Sequence, residues 1–445
     1  MIDELSNLGW RYLLPTCRQA LGNCYNSTTM KTKTTLDPIP LRAQFPALQL
    51  EVGGETAVYL DGPGGTQVPQ SVIDATSGYL SHGGSNSGGP FLTSHFSDEI
   101  TSAARQAMMD FYNARRPEEI IFGQNMTSLT FSMSRAIART WQPGDEIVVT
   151  RLDHDANISP WLLAAEAKGV TVHWLDFDPT DCTLRLDSLP SLLNEKTRLV
   201  AITFASNAVG SITDIKRAVD MIHEVGALAY VDSVHYAPHG LIDVQELDCD
   251  FLVASVYKFF GHHVGALYGK YELLDKLTAY KVRPASNIPP GKWETGTQSF
   301  ESQAGVTAAI DYIASIGGSD GTRRERLVRA ISSIKQHEMA LSEHFLTGAT
   351  QIAGLRVYGI TDIENLENRT PTFAISLKGY TPKEVATKLG EQGIFVWHGD
   401  YYAVAVMERL GLQNKGGLVR IGFVHYNTHE EVDRVLAALA ALAEE

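Results

Sequence analysis

Between about residues 115 and 270, short apolar runs alternate with segments of helical periodicity. The runs are Glu118–Gly123, Asp145–Leu152, Val170–Phe177, Thr197–Phe204, Ala227–Asp232 and Asp250–Ser255. Those around Val231 and Val253 are apolar on both faces, as parallel strands between helical layers are. Leu129–Thr140, Pro160–Lys168 and Ile215–Val225 carry the helical patterns between them. Such alternation predicts an α/β fold, a mainly parallel sheet with helices on both faces. From about residue 306 the texture changes. Helical stretches over Val306–Ile316 and Arg324–Thr347 lead to strand-like Arg356–Ile360 and Thr370–Leu377, a helix over Pro382–Gln392 and a strand over Gly417–Phe423. A last helix opens on Thr428-His-Glu-Glu431, a capping-box pattern, and continues with Val432, Val435, Leu436, Leu439 and Leu442 at helical spacing. The expected organisation is a large α/β domain over 41–305 and a smaller α+β domain over 306–445. Residues 1–40 are polar and mixed. They read as a mobile arm, or as sequence upstream of a true start at Met30, and carry no predicted fold role.

The net charge of −14 and the lack of a concentrated basic stretch argue against nucleic acid or an anionic membrane as partner. No run approaches the roughly 20 apolar residues that span a bilayer. Cys17, Cys24, Cys182 and Cys249 show neither metal-ligand spacing nor a disulfide-rich pattern, so a cytoplasmic location is expected.

The chemistry gathers at strand ends. Asp232 closes one buried run and Lys258 lies just past another, and in an open α/β sheet ligands sit at the carboxyl ends of the strands. A lysine that can form a Schiff base, with a carboxylate to pair a pyridinium nitrogen, is the set a pyridoxal phosphate enzyme needs. A desolvated lysine ringed by Tyr257, Phe259 and Phe260 is also more often neutral and nucleophilic. Taken singly, each residue has a plainer role, a strand-end lysine reaching solvent or an acid capping a helix. His154 follows the Asp145–Leu152 run, where an imidazole can stack on a flat ring and move protons. In Gly123–Phe131, Thr127 and Ser128 stand at a strand-to-helix junction suited to a phosphate, although such residues are more often N-caps. Asp61–Gly65 (DGPGG) matches no nucleotide-binding loop, and the His235/His239 and His262/His263 pairs lack further ligands at zinc spacing, so no metal is expected.

Together these residues resemble the class V aminotransferase family, in particular its cysteine desulfurase and selenocysteine lyase branch. The resemblance runs from about Leu41 to the C-terminus and is strongest in SNAVG, in Val231–Lys258, in WETGTQ and in Gly417–Val435. It implies the fold type I architecture of pyridoxal 5′-phosphate (PLP) enzymes, with a seven-stranded type of sheet and a smaller C-terminal domain. By the same implication Lys258 carries the cofactor, Asp232 pairs its ring nitrogen and His154 stacks on the ring. His235 stands where the family usually has a glutamine at the ring hydroxyl. Thr127, Ser255 and Tyr257 match phosphate contacts, though the family usually has histidine directly before the lysine. Thr297 matches a phosphate contact supplied by a neighbouring subunit, which implies a homodimer. Arg420 matches the arginine that holds the substrate carboxylate, assisted by Asn207.

One departure stands out. Desulfurases carry a nucleophilic cysteine on a loop of the small domain, and the corresponding stretch here is Val396–Ala403, with Tyr402 at the cysteine position and Trp397 where an arginine often lies. A phenol cannot accept a sulfur atom as a persulfide. The expected activity is therefore that of a PLP enzyme acting on an α-amino acid by β-elimination. Transamination, epimerisation or decarboxylative carbon–carbon bond formation are its alternatives, and a non-catalytic PLP-binding relative is a further one.

Overall fold

The computed structural model describes residues 36–444, so Cys17, Cys24 and Met30 lie outside the described residues. Seven strands form the large sheet: β1 (Ile120–Gly123), β2 (Glu146–Thr150), β3 (Thr171–Leu175), β4 (Thr197–Thr203), β5 (Leu228–Asp232), β6 (Phe251–Ser255) and β7 (Gly265–Gly269). Their spatial order is β1-β7-β6-β5-β4-β2-β3. β2 to β6 run parallel, whereas β7 lies antiparallel between β1 and β6. The five residues of β6 are all buried, as a strand covered on both faces requires.

Helices cover both faces. Among them are α3 (Met126–Ile137), α4 (Ser159–Lys168) and α5 (Ile215–Glu224), preceded in the chain by α1 (Gln70–Ser81) and α2 (Leu92–Tyr112). The helix expected to begin at Leu129 begins at Met126, because Asn125 caps it: its side chain accepts from the Ser128 amide at 2.9 Å while the Ser128 hydroxyl takes the Asn125 amide at 3.3 Å. Beyond the large sheet, α6 (Phe300–Ile316) packs against α1 and α2, and the 27-residue α7 (Arg323–Ala349) follows. A second, antiparallel sheet then joins β8 (Leu355–Tyr358), β9 (Thr372–Leu377), β10 (Trp397–Gly399) and β11 (Leu418–Gly422) in the order β8-β9-β11-β10. It is backed by α8 (Pro382–Glu391) and α9 (His429–Glu444). At the start of α9 the capping pattern of Thr428 and Glu431 forms, with reciprocal bonds of 3.2 and 3.3 Å. The described residues make one compact unit.

Gly210 shows how the segment after β4 meets β9. Its φ is +82°, and a Cβ there would stand 2.6 Å from the Thr372 carbonyl oxygen and 3.1 Å from that of Thr370. Both the backbone conformation and the space exclude a side chain. Gly210→Ala is expected to destabilise the protein by about 2 kcal/mol or more in denaturant titration, since strain and overpacking add. A loss below about 0.5 kcal/mol would show that the two segments are not held this closely.

Candidate active site

Four strands of the large sheet end at one cavity of about 1050 Å³. The segment after β2 brings His154, that after β4 brings Asn207, β5 ends in Asp232 and the turn after it brings His235, and the segment after β6 brings Lys258. Arg420 of β11 and the stretch from Trp397 to Tyr402 close the opposite wall. The sheet delivers these groups together because parallel strands point all their carboxyl ends one way.

Asp232 is buried and accepts the Val234 amide at 2.9 Å. Burial raises its pKa to about 6, opposed by that hydrogen bond and by the Lys258 charge. Lys258 has the converse problem. Burial drives its ammonium pKa down to about 7, the Arg420 charge pushes the same way, and Asp232 and Asp61 pull it back up. Its Nζ donates to the Pro63 carbonyl within the Asp61–Gly65 loop. Burial also raises Asp61 to about 6, and its Oδ1 has no hydrogen-bond partner. The sequence read this glycine-rich loop only against nucleotide motifs; its signal was an acid placed just after a short strand, Val58–Tyr59.

His154 accepts the Ala156 amide through Nδ1 at 3.0 Å and stacks on Tyr402, with centroids 5.4 Å apart and planes 17° off parallel. Burial, Lys258 and Arg420 lower its pKa to about 4, so it is a neutral ring near pH 7. Asp153, missed in the sequence, anchors the loop that carries it. Its buried carboxyl accepts Asn157 Nδ2 at 2.7 Å, the Thr203 amide at 3.1 Å and the Thr150 hydroxyl.

Arg420 is buried, donates to the Asn207 carbonyl at 2.9 Å and lies 4.4 Å from the Tyr401 ring centroid. Burial lowers its pKa to about 10, and Nε has no partner. The Asn207 side chain gives its amide to the Tyr401 carbonyl at 2.9 Å, while Oδ1 stays unpartnered. Tyr402 ties back in the same manner, its carbonyl accepting the Asp155 amide at 2.7 Å. Both tyrosines hold positive φ, +57° and +58°, an uncommon conformation that these bonds sustain.

The remaining sequence candidates divide. Ser255 lies at the α3 N-terminus, its hydroxyl accepting the Met126 amide at 3.0 Å, and with Thr127 and Tyr257 it lines the cavity. Tyr257 also stacks on His263, with centroids 4.5 Å apart. The Ser128 hydroxyl is instead engaged in the Asn125 cap and does not line the cavity, so the plainer N-cap reading describes it. Thr297 is exposed and outside the cavity of its own chain.

These residues fit PLP. The cavity offers an amine of depressed pKa, a buried carboxylate for a ring nitrogen, a flat imidazole and a helix N-terminus for a phosphate. Fold and site define a PLP-dependent enzyme of fold type I. Residues 58–435 match the family described as aminotransferase class-V, and the chain belongs to that family. Among its relatives, the cysteine desulfurase of Pectobacterium atrosepticum is 32% identical over 414 residues, which is 90% of this chain and 96% of that protein. A cysteine desulfurase of Escherichia coli is 30% identical over 90% of this chain and 96% of its own length. Of solved structures, the Escherichia coli cysteine desulfurase CsdA superposes with a TM-score of 0.79 at 27% identity, covering 92% of this chain and 99% of the other.

The charge arrangement around Lys258 can be read from cofactor capture. Uptake of free PLP needs the neutral amine, so its rate should rise with pH through about 7, followed by the visible absorbance of the product. Arg420→Gln removes a repelling cation and should move the midpoint up. Asp61→Asn removes an attracting anion and should move it down. A midpoint near the ordinary lysine value of about 10.4 in the unaltered protein would refute a depressed amine.

Proposed function

We propose that the protein is a PLP-dependent β-eliminating lyase that acts on an α-amino acid bearing a leaving group on its β-carbon, without an enzyme persulfide. The observation that carries this reading is the wall from Trp397 to Tyr402. It supplies indole, imidazole and phenol groups to the cavity, and no described residue lining the cavity is a cysteine. Cys182 is buried in an apolar cluster with its thiol pushed up to about 12, and Cys249 is buried with its thiol also raised. Neither is a ready nucleophile.

When bound, PLP supplies the electron sink that stabilises negative charge at the substrate α-carbon. Lys258 is the covalent attachment point and, once free, the base that takes the α-proton; a pKa near 7 suits an amine that must both lose and gain a proton. Asp232 holds the pyridine nitrogen, and ionisation of this buried acid favours a cation beside it. His154 stacks on the ring in its neutral form. The α3 N-terminus, with Thr127, Ser255 and Tyr257, receives the phosphate. Arg420 takes the substrate carboxylate, which would partner its orphaned Nε, and Asn207 assists. Thr297 serves the site of a second copy in a homodimer. Elimination then needs only departure of the β-substituent, with no second protein nucleophile.

A product screen across L-amino acids with β-leaving groups should yield ammonia and pyruvate in equal amounts. Stoichiometric accumulation of pyridoxamine phosphate would instead indicate transamination. Incubation with L-cysteine should leave no protein-bound persulfide, and mass-spectrometric detection of one would overturn the reading. Arg420→Ala should raise KM roughly ten- to a hundredfold, the loss of a charge-assisted hydrogen-bonded pair; an unchanged KM would remove Arg420 from the substrate site.

A further inference from the structure

His235 lies in the turn after β5, and its hydrogen bond bears on which of its nitrogens carries the proton. Nε2 lies 3.1 Å from the Thr370 hydroxyl oxygen. That hydroxyl has one proton and a second neighbour, the Gly210 carbonyl at 3.2 Å, to which it donates. With its proton committed there, the Thr370 oxygen can only accept from His235, which places the ring proton on Nε2. The reverse assignment would leave an N–H at Nδ1 with no protein acceptor.

The charges agree with this assignment. Burial, with the nearby His239 and the charges of Arg420 and Lys258, holds His235 well below the ordinary histidine range, so it is neutral. His239 stands edge-on to it, with centroids 5.3 Å apart, and is itself bonded through Nδ1 to buried Glu338 at 2.8 Å. Among the described residues, no carboxylate is hydrogen-bonded to His235. A neutral imidazole beside two cations is favoured with its lone pair, rather than an N–H, on the cavity side.

We infer that His235 is locked by Thr370 and Gly210 as the Nε2–H tautomer and presents Nδ1 to the cavity as a hydrogen-bond acceptor for the phenolic hydroxyl of PLP. The choice of hydroxyl is what the resemblance to the family implies, since a glutamine usually stands at this position beside the ring hydroxyl, and the donors PLP has agree with it. Asp232 answers the ring N–H, the aldehyde goes to Lys258, and the phosphate asks for donors rather than acceptors. The hydroxyl beside the aldehyde is the donor left. An acceptor there favours the form in which oxygen keeps the proton, whereas an amide N–H would favour the phenolate. This inference rests on the PLP reading above. Thr370 is a positioning residue in it, acting only through His235.

Two measurements test it. In cofactor-free protein labelled with ¹⁵N-histidine, the ring signal that disappears in His235→Gln should show an unprotonated Nδ1 and a protonated Nε2. A protonated Nδ1 would overturn the tautomer. In PLP-loaded protein without substrate, the visible band should be titrated with pH. His235→Gln, which can donate, should lower the midpoint by about one pH unit and increase the share of the long-wavelength band, one hydrogen bond being worth about that much. Thr370→Val frees the tautomer and should move the midpoint the same way, while Thr370→Ser, which keeps the hydroxyl, should leave it in place. Unchanged midpoints in His235→Gln and Thr370→Val would overturn the hydroxyl contact. A protein that takes up no PLP would sink the functional reading and that contact together, while the ¹⁵N spectrum would still decide the tautomer.

Discussion

Two cations, Lys258 and Arg420, share one cavity, and the groups around it are organised by that repulsion. Burial alone disfavours both charges, and each raises the cost of the other. Two carboxyls, Asp232 and Asp61, stand near enough to compensate, yet burial lifts each to about 6, so neither is a fully committed anion. The site is thus one in which small changes in charge redistribute protons among several groups at near-neutral pH. Half-buried His154 and buried His235, which line it, are held neutral by burial and the same field.

That field arises from the architecture. The carboxyl ends of β2, β4, β5 and β6 converge on the cavity, and only Arg420 and the Trp397–Tyr402 stretch come from the second sheet. Polar contacts tie the two sources: Arg420 to Asn207, Asn207 to Tyr401, Tyr402 to Asp155, and Thr370 to Gly210. The two walls of the cavity are therefore joined by directional bonds as well as by the apolar cluster that packs Leu152, Ala208 and Val209 against Ala374, Ala403 and Leu418.

The placement of Asp232 and Lys258 was legible in the sequence because it depends on local signals. An apolar run followed by Asp232, and another followed within three residues by Lys258, place both groups at strand ends whatever the order of the strands. The insertion of antiparallel β7 between β1 and β6 was not legible, since the pattern of a buried strand carries no record of its neighbours. Ser128 misled because a hydroxyl at a helix start serves a cap or a phosphate equally well in sequence, and the Asn125 cap decided it. Thr370 and Asp153 could not be found locally. Thr370 meets His235 across 135 positions, and Asp153 acts through Thr203, 50 positions away. Such roles exist only once the chain has folded.

The paired tyrosines at 401 and 402 carry one more consequence. Each left-handed residue stores strain of roughly 1–2 kcal/mol, and each carbonyl bond that restrains it returns roughly 0.5–1.5 kcal/mol. Latch and spring are nearly matched. The turn's resting shape is set by Asn207 and Asp155, from segments that follow strands of the large sheet, so a substitution at Asn207 would alter the cavity wall without changing any residue of the turn itself. Within a lineage of such proteins, the shape of this wall would then change through its fasteners as readily as through its own side chains.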